Sequence, residues 1–153
     1  MASRVSVTSK QAFTDAEWER LLMGPPSAGM MVVMAQRGGM VRETISMGKA
    51  YADARRRHGE SELLDEIVAH KPQIDHTRYR SPEEFAEHAL THLRDAVALL
   101  DAKATPQERA DYGRFVVSLA ERVAAAHTED GHGEDAVSDA EQAAIDSIRE
   151  AVG

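Results

Sequence analysis

The chain contains no cysteine among its 153 residues, which excludes a disulfide framework, a thiolate nucleophile and a thiolate metal site. A reducing cytoplasm is therefore the expected setting. Long apolar runs are missing as well. The longest, Met30 to Ala35, falls far short of the ~20 residues that cross a bilayer, and the opening MASRVSVTSKQAFT holds no apolar stretch of signal-peptide length. Positive charge is also in deficit, with 18 Lys and Arg against 26 Asp and Glu and a formal net charge of -8. An acidic surface favours solubility and opposes non-specific binding to nucleic acid or anionic membrane, so neither is expected as a partner.

Common enzyme signatures are absent too. The Gly48-Lys49 pair has Glu43 where a phosphate-cradling loop needs its first Gly, and no Ser or Thr follows the Lys. Ser27 has Pro25 two positions before it, so it lacks the Gly of a nucleophile elbow.

What the chain does contain is a repeated helix-start signal. Thr14 to Glu17, Ser81 to Glu84, Thr105 to Glu108 and Ser138 to Glu141 each write a capping box, in which the hydroxyl accepts from the third helical N–H and the carboxylate reaches back to the cap N–H. Pro82 and Pro106 stand at the first helical position, where a missing N–H costs nothing. Phe13 and Trp18 have the spacing of a hydrophobic staple around the first cap.

Read in order, the pattern predicts a flexible arm over 1–12 and one helical domain over 13–153, since a chain of this length supports one compact core. A first helix is expected over 15–23, ended by Gly24-Pro25-Pro26. A second, apolar on every face, follows from Ser27 and belongs in the core. Further helices are predicted over 40–58, 62–70, 82–103, 106–127 and 139–152. The pair over 82–127 forms a long antiparallel αα-hairpin. The fold class is all-α, a bundle of about six or seven helices.

Two features bear on function. Glu84, His88, His92 and Asp95 project from one flank of the 82–103 helix, and His residues four apart can reach one divalent metal ion from one side. The neighbouring His127, His132, Glu134 and Asp135 are candidates to complete the shell, although the same spacing serves a half-exposed boundary pair with helix-surface acids. Second, six of the seven Met fall between Met23 and Met47. Flexible thioethers fill irregular cores or line adaptable grooves. The segment 23–47 is thus either core or the surface for a protein partner or a second copy of the chain.

The segment from Asp135 through Ser138 and Glu141 into AAIDSIREAV resembles the acidic turn and following helix of tellurite-resistance TerB-like proteins, over about twenty residues. Ala136 stands where that pattern has Gly, and the motif occurs once rather than twice. The resemblance implies an all-helical, stress-associated accessory domain with a divalent-metal-binding acidic face carrying Asp135 and Glu141. The His-x-x-x-His helix is similar, more faintly, to metal-dependent DinB-like helical bundles. Two functions are therefore expected to compete. One is a non-enzymatic cytoplasmic helical module acting through protein interaction, with or without a bound divalent metal ion as cofactor. The other is a metal-dependent enzyme using His88 and His92.

Overall fold

The structure, a computed structural model, describes residues 10–35, 40–56, 62–70, 81–126 and 139–153. Its described part is all-α, with six α-helices and no strand. A 3-10 turn, Lys10–Ala12, falls inside the stretch expected as a flexible arm; residues 1–9 lie outside the described residues. The helices are α1 (Asp15–Ala35), α2 (Met40–Arg56), α3 (Glu62–Val68), α4 (Pro82–Lys103), α5 (Pro106–Ala126) and α6 (Asp139–Val152). No described helix is long and apolar enough to cross a membrane.

The caps form as their residues dictate. Thr14 N donates to Glu17 Oε1 at 2.9 Å while Glu17 N donates to Thr14 Oγ1 at 3.2 Å. The same reciprocal pair joins Thr105 and Glu108, at 2.8 and 3.1 Å. At α4, Glu84 N donates to Ser81 Oγ at 3.1 Å. The staple closes as well, with the Phe13 and Trp18 rings 6.1 Å apart.

The largest departure from the sequence reading is α1. Gly24-Pro25-Pro26 does not end it: the helix runs unbroken from Asp15 to Ala35 with both prolines inside. Burial supplies the reason. Gly24, Pro25, Pro26 and Ser27 are all in the core, where a turn would strand backbone N–H and C=O groups away from water. A continuous helix keeps most of them paired, at a cost of about 3 kcal/mol for an interior proline. Pro25 has no N–H for the carbonyl of Leu21, four residues back. The buried Tyr112 hydroxyl donates to that carbonyl instead, at 2.8 Å. Gly24 completes the arrangement, because a Cβ there would run into Tyr112 Oη.

This helix is the centre of the bundle. α4 and α5, joined through Ala104 and Thr105 as a hairpin, each pack more extensively against α1 than against each other. α2 and α6 close the sides: α2 on α1 and α5, and α6 on α1, α4 and α5. The core they enclose includes Leu21, Val32, Phe85, Leu93, Leu100, Tyr112, Leu119 and Ile148. Surface pairs tie the elements together, among them Lys103–Glu17 at 2.6 Å and Arg122–Asp53 at 2.5 Å.

Tyr51 and Tyr112 make the fold sensitive to alkaline pH. Burial pushes both hydroxyls well above the ordinary tyrosine value of 10.0, and their mutual proximity adds to the shift at Tyr112. A group whose folded-state pKa is raised contributes stability that is complete below the unfolded value and lost as pH climbs past it. The fold should therefore weaken above pH 10.0, the unperturbed tyrosine value. Tyrosinate absorbance and far-UV circular dichroism recorded together should show Tyr51 and Tyr112 ionising only as helix is lost; ionisation of all three tyrosines with the helices intact would contradict this.

Candidate functional site

The metal candidates on α4 lie along one flank, as their spacing requires. Glu84 and His92 are half-buried, and His88 and Asp95 are exposed. What the structure does not do is converge them with a further ligand: among the described residues, no three His, Asp or Glu side chains are grouped so as to hold a metal ion. The physical reason is that one helix flank offers donors from one side only. Asp135, with His127, His132 and Glu134, lies outside the described residues. Glu141 is described and has no solvent exposure. Its place in the first turn of α6 is that of the fourth capping box, whose Ser138 is outside the described residues.

The Met-rich segment supplies core. Met30, Met31 and Met47 are buried in the main cluster, while Met23 and Met34 are half-buried. A Cβ on Gly29 would lie 2.8 Å from Met47 Cε, so this glycine is where α2 approaches α1. Thioethers placed in that contact fill the irregular space left by a side-chain-free turn.

The described surface offers a groove elsewhere. It has a volume of about 710 Å³ and runs along α5, walled by the end of α6 and by the corner of α2 and α3. That volume is in the range of about 300–1,000 Å³ typical of ligand sites. Leu64, Phe115, Val117 and Val152 give it an apolar floor. Phe115, which the apolar spacing of α5 assigns to the core stripe, is only half-buried; its ring stands edge-on to Tyr51 with centroids 5.3 Å apart and its remaining surface faces the groove.

Charged side chains make the rim. Arg109 donates through Nη1 to Val152 O at 2.8 Å, through Nη2 to Gly153 O at 2.7 Å and through Nε to Asp101 at 3.0 Å. It thus holds the end of α6 against α5 and sets a cation at the negative end of that helix dipole. Arg114 pairs with Asp111 at 2.5 Å and Arg149 with Glu121 at 2.7 Å. These two arginines keep 70% and 50% of their side-chain surface exposed, whereas Asp111 keeps 16%. Three arginines, Arg109, Arg114 and Arg149, and three acids, Asp65, Asp111 and Glu121, line the groove, and Glu121 is as exposed as its partner Arg149, so the rim carries charge of both signs.

Sequence reasoning missed this site because it followed the strong apolar stripe of α5. The signal was the weaker second face, Ala110, Gly113, Val117 and Glu121 at three- and four-residue spacing. No protein-family model, curated protein or solved structure matches this chain.

Proposed function

We propose that this protein is a non-enzymatic helical interaction module of the cytoplasm, an accessory domain that docks a segment of a partner protein in the groove along α5. The observation that carries this reading is the groove itself, which combines an apolar floor of Leu64, Phe115, Val117 and Val152 with an arginine-bearing rim. Buried apolar anchors within a polar rim are the anatomy of protein-recognition surfaces. The lack of cysteine suits a reducing compartment. The TerB-like resemblance points the same way, towards an accessory role, and rests on α6 and the residues ahead of it. The metal-enzyme alternative built on His88 and His92 gains no further ligand from the described residues.

A displayed library of random peptides selected on the protein tests this reading, with counter-screening on Ala110→Trp. Ala110 is exposed and lines the groove, so an indole there obstructs the site without entering the core. Peptides that bind the wild type and lose that binding on Ala110→Trp are the expected result. An empty selection, or binders indifferent to the substitution, would remove the groove as the functional surface.

A further inference from the structure

Resting on the groove as the docking surface, we infer that its occupant is a second copy of this chain, whose α5 lies antiparallel on this α5. The outward line of α5 carries the argument. Ala110, Arg114, Ser118, Glu121 and Ala125 are exposed along it, with Val117 half-buried beside Ser118, and a spacing of three or four residues puts them on one helix face. Read outward from the midpoint between Val117 and Ser118, that face is matched on its two sides and its charge inverts. Arg114 and Glu121 stand equally far from the midpoint, and Ala110 and Ala125 stand equally far beyond them. A two-fold axis through the midpoint is what such a face fits, because a self-complementary contact pairs each residue with the counterpart that the symmetry assigns. Arg114 then meets Glu121 of the second copy, Glu121 meets its Arg114, and Ala110 meets its Ala125. A parallel pair would instead set like charges on each other, which opposes association. The alanines and Ser118 allow the two helix axes to approach to about 8 Å.

Both charged groups keep capacity for this contact. Arg114 gives one N–H to Asp111, out of five that a guanidinium carries, and 70% of its side chain is exposed. Glu121 accepts from Arg149 through Oε2, and half of its side chain is exposed. Each half of the interface is then a row of alternating sign, in which Asp111 and Arg114 of one copy are continued by Glu121 and Arg149 of the other. Charges joined in a network contribute more than isolated surface pairs. The equal numbers of arginines and acids along the groove, which favour no partner of single sign, are what a surface that pairs with itself requires.

Sedimentation velocity with charge reversals at the two exposed positions tests this. The wild type should form a dimer at micromolar concentrations, more weakly as salt is raised; association in that range leaves the groove open at the lower protein concentrations of a peptide selection. Arg114→Glu alone and Glu121→Arg alone each set like charges across the axis twice and should weaken dimerisation about tenfold or more. Mixed in equal amounts, the two variants regain both opposite pairs and should form a heterodimer, which misfolded variants would not allow. Ser118→Cys, in a chain with no other cysteine, should oxidise to a disulfide-linked dimer because this position lies beside the axis. A wild type that stays monomeric up to about 1 mM, or a dimer indifferent to both reversals, would overturn this inference. Groove-dependent peptides lost on Ala110→Trp would in that case leave the docking surface standing for another partner. The absence of such peptides as well would overturn both.

Discussion

Gly24→Ala should destabilise the protein by about 3 kcal/mol or more, the reverse of what the same change does in an ordinary helix interior. There, alanine is favoured over glycine by up to about 1 kcal/mol. Here the new methyl would collide with Tyr112 Oη. The tyrosine cannot simply swing aside: it is buried in the core and its hydroxyl holds the Leu21 carbonyl that Pro25 leaves without an N–H. Overpacking a tight core costs about 1–3 kcal/mol, and stranding a buried carbonyl adds about 1–3 kcal/mol. Urea unfolding of the single and double variants separates the two contributions. Tyr112→Phe alone loses the hydrogen bond, and Gly24→Ala/Tyr112→Phe should be less destabilised than the two single effects added together, because the clash goes with the hydroxyl. Relief should be incomplete, since Tyr112 Cζ would still lie 3.2 Å from the added Cβ. Additive effects in this cycle would mean that Gly24 and Tyr112 do not meet.

The second large effect is expected at Met31, which decides whether the Met-rich segment is core or contact surface. Met31 has 7% of its surface exposed. Met31→Asp places a carboxylate in the buried apolar cluster, and the protein should lose several kcal/mol or fail to fold. Met31→Leu keeps the volume and should cost less than about 1.5 kcal/mol. On a solvent-facing surface both changes would fall within about 0.5 kcal/mol of neutral. Chemical denaturation of the pair therefore distinguishes the two placements, and a Met31→Asp protein with an unshifted midpoint would move the segment out of the core.

These two sites also mark where sequence reasoning stops. The starts of α4, α5 and α6 were legible to the residue, because caps and first-position prolines act through neighbours three positions away. The amphipathic stripes carried most of the core for the same local reason. Gly24-Pro25-Pro26 misled, since a local rule treats proline as a helix stop when its stranded carbonyl has no other donor. The donor here is Tyr112, 91 residues along the chain. Phe115 shows the same limit at the candidate site: its spacing marks it as apolar and inward-facing, but only the way α3 and α6 pack beside α5 leaves part of the ring at a groove. The His88 and His92 pair was equally local, and its spacing could not say whether another element would bring a further ligand.

By itself, then, the sequence determined the helices, their polarity and which faces are apolar, because these depend on contacts within about four residues. Tertiary structure alone decided that α1 passes through its own prolines, that Met30, Met31 and Met47 are interior, and that three arginines and three acids gather at one groove. Each depends on groups far apart in the chain, whose meeting is set by the packing of whole helices and leaves no periodic trace in the order of residues.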